Sequence, residues 1–146
     1  MVLLALPGAR TRAIKLAANI FTGLEFVATL LLLARFDASS GDMQFLERLP
    51  WIKAIGAQYL LGVDGISLLL VLLTSLLTFL ATLSSWQAVE KRLKEYYVFL
   101  LLLETGMIGV FLALALLLFY VFWEVVLVPM YFLIGVWGGE RRLYAA

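Results

Sequence analysis

The feature that most constrains this chain is an apolar block of about 42 residues, 96–137, which no polar loop interrupts. An α-helix rises 1.5 Å per residue, so one helix of this length would measure about 63 Å, twice the roughly 30 Å hydrocarbon core of a bilayer. We therefore predict two membrane helices, 96–112 and 116–137, joined by a tight apolar turn. The backbone groups of that turn still need partners, so we expect it to be covered by protein or to lie at the membrane interface.

The rest of the chain contains two more membrane-length apolar segments, 14–34 and 66–83. Hydrophobic residues make up 64% of the 146 residues, against about 45–50% in soluble domains. The fold class predicted is therefore an all-α integral membrane protein. It has four full transmembrane helices and, at residues 1–7, the end of a partial one. Residues 1–146 form a single membrane region in which a polar link, 35–65, separates the first two full spans.

The charge distribution predicts the orientation of these spans. Eight of the eleven Lys and Arg residues lie in the segments 10–15, 91–94 and 141–142. The link 35–65 contains the other three, together with four acidic residues. Because positive charge concentrates on the cytoplasmic side of membrane proteins, we expect 35–65 to be an extracytoplasmic loop. The chain is then a multi-pass membrane protein, which we place in a bacterial inner membrane.

Residue types that are absent exclude several kinds of site. The chain has no cysteine and no histidine, which excludes disulfides, zinc sites built from Cys and His, and ligation of haem or Fe–S clusters by those residues. We predict no metal site and no cofactor site on this chain. A net charge of +1 gives no indication of nucleic-acid binding. Proton chemistry would have to rest on Glu, Asp, Lys, Tyr or water.

Glu124 is the strongest functional candidate, because it lies in the middle of the most apolar stretch. A charged side chain at the centre of a bilayer costs about 2.5–3.5 kcal/mol on insertion scales and is usually paired or functional. Pro129 follows five residues later, and a proline cannot donate to the carbonyl of Val125. We predict a helix kink at Pro129 whose free carbonyl holds water beside Glu124, as a proton path requires.

Glu104 is the second candidate for a proton pathway. It lies near the middle of span 96–112 and is followed by Gly106 and Gly109, small residues that allow a neighbouring helix to approach closely. We expect this approach to bury Glu104 in the helix interface. Since the two spans are adjacent and antiparallel, we also expect Glu104 and Glu124 to lie at similar depth and near one another. For both acids the alternative is a purely structural role in helix packing.

Two further acids have less decided roles. Glu25 shares a helix face with Thr22 and Thr29, and either packs against other helices or contacts an adjacent subunit. Asp64 directly precedes the span 66–83. Aspartate is among the preferred N-cap residues because its carboxylate accepts from the free amides of the first turn. We therefore predict that Asp64 is a helix cap.

Three stretches of this sequence resemble a known family. They are Leu-Gly-Val-Asp-Gly-Ile-Ser at 61–67, Glu-Thr-Gly-Met-Ile-Gly-Val-Phe at 104–111, and the long stretch 119–139 that contains Trp-Glu-Val-Val-Leu-Val-Pro. Together they are similar to chain M of NADH-quinone oxidoreductase, one of the antiporter-like subunits of respiratory complex I. The resemblance covers the chain from about residue 50 to the end, and more loosely from residue 1.

The resemblance implies a protein of about fourteen membrane helices, of which this chain would supply the end of helix one and helices two to five. It implies that Glu124, on helix five, pairs with a lysine on a broken seventh helix, and that Glu104, on helix four, lies near the same pathway. Helices six to fourteen would lie outside these 146 residues, which we expect not to pump protons alone. One departure is the link 113–115, Ala-Leu-Ala, where the family often has an acid or an amide.

The function implied is proton translocation coupled to NADH:quinone oxidoreduction, as a subunit of that enzyme. The partners implied are the other membrane-arm subunits of complex I, the lipid bilayer, protons and internal water, with no nucleic acid. NAD, FMN, Fe–S clusters and quinone are expected on other subunits. Two alternatives stay open: a subunit of a multisubunit Na+/H+ antiporter, which shares the Trp-Glu and Pro pattern, and a structural membrane subunit whose acids only pack helices.

Overall fold

A computed structural model describes residues 11–146 of the chain, so the partial helix expected at 1–7 lies outside the described residues. Four of the described helices are long and apolar enough to cross a membrane. They are α1 (Thr11–Arg35), α2 (Gly65–Ala88), α3 (Leu93–Leu112) and α4 (Leu116–Trp137). A short helix, α5 (Arg142–Ala145), follows α4. The prediction of a largely helical membrane fold with four full spans is confirmed.

The link 35–65, expected to be a polar loop, instead contains a two-stranded antiparallel hairpin. Strand β1 (Gln44–Ile52) pairs with β2 (Ala57–Val63), and the two are joined by a 3₁₀ turn, Lys53–Ile55. Gly56 ends that turn with a φ of 67°, a conformation that glycine adopts without steric cost. Strand β1 is exposed along almost its whole length, so its residues are not under pressure to alternate between apolar and polar. The sequence of β1 therefore lacks the alternation that predicts a half-buried strand, and it contains Pro50.

The hairpin covers the turn between α3 and α4. Its strand β2 packs against both helices, and the amide of Leu114 donates to the carbonyl of Leu60 at 2.9 Å. Leu61 and Ala113 form an isolated antiparallel bridge beside this bond. The apolar turn at 113–115 therefore finds backbone partners in protein, as we expected for a turn that is covered.

The opposite end of the helices carries most of the basic residues. Lys15 Nζ on α1 donates to the carbonyl of Trp86 near the end of α2. The indole Nε1 of Trp137, at the end of α4, donates to the carbonyl of Lys91 at 2.9 Å. A small core formed by α1 and α3 lies between these contacts; its buried members are Ile14, Ala18, Leu93, Tyr97 and Leu100.

Helix α2 extends five residues beyond the predicted span 66–83. Of the polar residues that follow position 83, Ser85 has side-chain partners that are compatible with a helix. Ser85 Oγ donates to the carbonyl of Ala81 at 2.6 Å and forms a 2.8 Å hydrogen bond with the hydroxyl of Tyr96 on α3. A serine that bonds to the carbonyl four residues earlier is compatible with a helix interior.

Candidate functional site: acids among the membrane helices

Glu104 is enclosed by protein. Its side chain is only 1% exposed, and neither carboxyl oxygen has a hydrogen-bond partner among the residues that the structure describes. It faces Glu25 of α1 and lies beside Thr78 of α2. The hydroxyl of Thr78 donates to the carbonyl of Thr74 at 3.0 Å. Glu104 is thus a buried acid whose neighbour is another acid.

The two glycines near Glu104 bring α3 close to α4. A Cβ added to Gly106 would lie 2.9 Å from Cγ2 and 3.2 Å from the backbone nitrogen of Val126. A Cβ added to Gly109 would collide with the ring of Phe122. Small residues at these positions let the two backbones approach, as is usual between membrane helices.

The expectation that this glycine contact would bury Glu104 is wrong. Residues of a helix are separated by about 100° per position, so Gly106 lies about 160° around α3 from Glu104. The glycine face of α3 contacts α4, whereas the Glu104 face contacts α1 and α2. Glu104 is buried, but in a different interface from the one predicted.

Glu124 lies on the exposed side of α4. It lines an open groove of about 410 Å³ whose other walls are apolar or aromatic; the lining residues are Leu102, Tyr120, Val121, Glu124, Val125 and Val128. Tyr120, one turn earlier on α4, is in contact with the Glu124 carboxyl. This arrangement leaves a carboxyl at the surface of a membrane helix, in surroundings that contain little else that is polar.

The structure does not bring Glu104 and Glu124 together, which corrects the expectation that they would be neighbours. Leu102 of α3 shares the groove with Glu124, and Leu102 lies about 160° around the helix from Glu104. The two acids therefore face opposite sides of α3. The acid that does lie beside Glu104 is Glu25.

Pro129 is buried within α4, which continues as a helix to Trp137. Because proline has no backbone N–H, it cannot donate to the carbonyl of Val125. Val125 lines the groove beside Glu124. The structure thus places a backbone carbonyl without its usual helical donor next to the exposed carboxyl.

Asp64 is the N-cap of α2. Its carboxylate accepts from the backbone amide of Ser67 at 2.7 Å, and the amide of Asp64 donates to Ser67 Oγ at 2.9 Å, which completes a capping box. The bonds from the backbone and then the side chain of Ser67 lower the pKa of Asp64 below its ordinary value. Asp64 therefore stabilises the first turn of α2, directly after strand β2 of the hairpin.

A line of hydroxyl groups between α1 and α2 is the feature that sequence reasoning missed. Buried serines and threonines recur on α2 at intervals of one, three or four residues: Thr74, Ser75, Thr78, Thr82 and Ser85. Such spacing places them along one helix face. In an apolar helix this polar stripe was the available signal that α2 packs against another polar face rather than against lipid.

Comparison with known proteins shows what this chain is similar to. A sequence profile described as "NADH:quinone oxidoreductase/Mrp antiporter, TM" matches residues 113–146. NADH-quinone oxidoreductase subunit M of Rickettsia conorii is 50% identical over 123 residues, 84% of this chain and 25% of the relative. Subunit M of Rhodobacter capsulatus is 51% identical over 138 residues, 94% of this chain and 26% of the relative. Over most of its length the chain is similar to subunit M of NADH-quinone oxidoreductase.

A plant relative extends this similarity beyond bacteria. NADH-ubiquinone oxidoreductase chain 4 of Arabidopsis thaliana is 42% identical over 142 residues, which is 97% of this chain and 29% of the relative. The chain thus spans about a quarter of the length of the relatives it matches. Four membrane-length helices in a membrane family identify a multi-pass membrane protein, and the bacterial relatives agree with an inner-membrane location.

Proposed function

We propose that this chain belongs to a proton-translocating membrane-arm subunit of NADH-quinone oxidoreductase, which moves protons across the membrane as quinone is reduced. Relatives about 50% identical over most of the chain are subunits of that enzyme by name. Its partners would be the other membrane-arm subunits, the bilayer, and the protons and internal water that it moves.

The observation that carries this proposal is the position of Glu124. A carboxyl that faces an apolar groove on a membrane helix is costly unless it pairs, protonates or meets water. We propose that a cationic side chain from another membrane segment faces this groove, and that Glu124 exchanges a proton there. The free carbonyl of Val125 would hold water beside the carboxyl. Glu104 would serve as a second acid of the pathway, on the other side of α3.

The redox chemistry would belong to other subunits. This chain has no cysteine and no histidine to ligate an Fe–S cluster or haem. We therefore propose that NAD, FMN, the Fe–S clusters and quinone bind elsewhere in the complex. The contribution of this chain would be the movement of protons in response to that chemistry.

A subunit of a multisubunit Na+/H+ antiporter is the alternative transporter, since the matching family description includes Mrp antiporters. The relatives reported above are all subunits of NADH-dependent quinone or ubiquinone oxidoreductases, so this alternative is not favoured. An antiporter would transport protons against Na+ without NADH. Sodium dependence of transport in the absence of NADH would therefore contradict our proposal.

The test is Glu124→Gln in the complete subunit, with NADH-driven proton pumping measured in inverted membrane vesicles. Glutamine keeps the shape of the side chain but cannot release a proton. Because a positioned acid or base typically contributes a factor of about 10²–10⁴, we expect the pumping rate to fall at least tenfold.

Glu140→Gln is the matched control, because Glu140 is an exposed residue beyond the end of α4 and should pump normally. Equal amounts of assembled complex in the two variants would show that the loss concerns transport. Normal pumping by the Glu124 variant would favour the structural alternative, in which the acids of this chain only pack helices.

A further inference from the structure

Helices α1 and α2 are joined by two hydrogen bonds between hydroxyl groups. Thr22 Oγ1 lies 3.0 Å from Thr82 Oγ1, and Thr29 Oγ1 lies 2.9 Å from Ser75 Oγ. Seven residues separate the two contacts on each helix, as expected for two antiparallel helices packed with constant register. We call these two contacts the hydroxyl pairs.

Glu25 and Thr78 lie at the level between the hydroxyl pairs. Glu25 follows Thr22 by three residues on α1, and Thr78 precedes Thr82 by four residues on α2. Positions three or four apart share one helix face. The register of α1 against α2 therefore places Glu25 and Thr78 side by side, at the interface of the two helices.

Helix α3 brings Glu104 to the same level. The hydroxyl of Tyr96 contacts Ser85 at 2.8 Å, and the hydroxyl of Tyr97 donates to the carbonyl of Thr82 at 3.4 Å. Moving eight residues from Tyr96 along α3 reaches Glu104, and moving eight from its partner Ser85 in the opposite direction along α2 reaches Leu77, the neighbour of Thr78. This second register agrees with the contact of Glu104 with Glu25 and Thr78.

No basic side chain lies near this level on the three helices within the described residues. Lys15 and Arg35 each lie ten residues from Glu25 on α1, and Lys94 lies ten residues from Glu104 on α3, which corresponds to about 15 Å along the helix axis. Helix α2 contains no ionisable side chain. Within the part of the chain that the structure describes, the two carboxyls therefore face one another without a cation, and neither oxygen of Glu104 has a hydrogen-bond partner there.

Two carboxylates in this position cannot both be charged. A buried charge without a partner is strongly unfavourable, and a second like charge beside it adds to that cost. Glu104 is fully enclosed, whereas Glu25 is only partly buried. A proton on Glu104 removes the charge that is hardest to solvate and supplies the donor that the pair lacks.

We propose that Glu25 and Glu104 form a second proton site, in which a single proton carried by Glu104 is hydrogen-bonded to the carboxylate of Glu25. The proton can pass from a Glu104 oxygen to a Glu25 oxygen, leaving Glu104 as the carboxylate, with no other reactant. This assigns Glu25 a role that packing alone would not require. Use of the site in transport rests on the proposed function; the existence of the site does not.

The experiment is infrared spectroscopy of the full-length protein in membranes at neutral pH, with ¹³C-labelled glutamate to assign the stretching band of protonated carboxyl groups. We expect the wild type to show such a band and Glu104→Gln to lose it. Glu25→Gln should keep the band but shift it to higher frequency, because the amide oxygen of glutamine is a weaker acceptor than a carboxylate. Glu124→Gln is the control and should leave this component unchanged.

The outcomes separate this proposal from the proposed function. A band that survives in Glu104→Gln would overturn the assignment of the proton, and an unshifted band in Glu25→Gln would overturn the hydrogen bond between the acids. If either Glu104→Gln or Glu25→Gln fails to accumulate in the membrane, the spectrum of the remaining variant still tests the proposal, by loss of the band or by its shift. Because the spectrum is recorded without turnover, loss of pumping in Glu124→Gln and the state of the Glu25–Glu104 pair are read independently.

Discussion

Gly109 is the position at which a single added methyl group should most clearly disturb the packing of α3 on α4. An ideal Cβ built there would lie under 3.0 Å from three ring carbons of Phe122. Carbon atoms in favourable contact are about 3.5–4.0 Å apart. Gly109→Ala therefore requires the ring to turn away or the two helices to separate by about an ångström at this contact.

The free-energy change can be bounded from that geometry. Overpacking of a closely packed interface typically costs about 1–3 kcal/mol. Alanine favours the helix over glycine by up to about 1 kcal/mol, which offsets part of the loss. We therefore expect Gly109→Ala to lower the free energy of unfolding by about 1–2 kcal/mol.

The assay is reversible unfolding of the purified chain in mixed micelles of increasing denaturing detergent, followed by tryptophan fluorescence. Gly135→Ala is the matched control, because a Cβ there would meet only Ala146 Cβ, at an ordinary 3.9 Å. Phe122→Ala completes a double-mutant cycle. In the Phe122→Ala background, Gly109→Ala should lower the free energy of unfolding by at least about 1 kcal/mol less than in the wild type, since contacting residues couple. If Gly109→Ala is as stable as Gly135→Ala, or if the cycle shows no coupling, the close approach at Gly109 is refuted.

Two further predictions concern the N-cap of α2 and the hydroxyl contact between α2 and α1. Asp64→Ala should lower the free energy of unfolding by about 1 kcal/mol. Because hydrogen bonds from Ser67 lower the pKa of Asp64 in the folded state, this difference should be complete above the ordinary value of 3.8 and be lost as the pH falls from there through the lowered folded-state pKa; a difference that does not change with pH would contradict a cap by the ionised carboxylate. Thr22→Val should cost about 0.6–1.7 kcal/mol in the same unfolding assay, through loss of the 3.0 Å contact with Thr82. Thr105→Val, at an exposed position, is its control, and equal losses in both would refute a specific role for the hydroxyl pair.

The sequence predicted the four membrane helices because their signal is strong and local. Apolar length alone required that the block 96–137 be divided, and α3 ends and α4 begins at the residues where that argument placed the turn. The hairpin was not predictable in the same way. Strand β1 has neither buried alternation nor a two-residue hairpin turn, and the hairpin contacts α3 and α4, which are distant in sequence.

The candidate acids were found from the sequence, but their neighbours were not. An acidic residue in an apolar span can be identified from the sequence alone. The residue that contacts it depends on which side of its helix faces which neighbouring helix. The assumption that consecutive helices place their acids together failed at α3, because Glu104 and the glycine face lie about 160° apart. The placement of Glu25 beside Glu104 depends on how α1, α2 and α3 are aligned along their axes. Contacts of Ser, Thr and Tyr side chains set that alignment.

These contacts also explain why one bundle can hold an uncompensated pair of acids. Lipid tails are as apolar as leucine, so membrane helices associate through close packing and interhelical hydrogen bonds rather than through hydrophobic burial. Here α3 and α4 approach closely at Gly106 and Gly109. Helices α1 and α2 associate through hydroxyl pairs above and below the acids. Because the hydroxyl pairs fix the separation of these helices independently of the carboxyls, the acids can change protonation without the interface coming apart, which a site that holds and releases a proton requires.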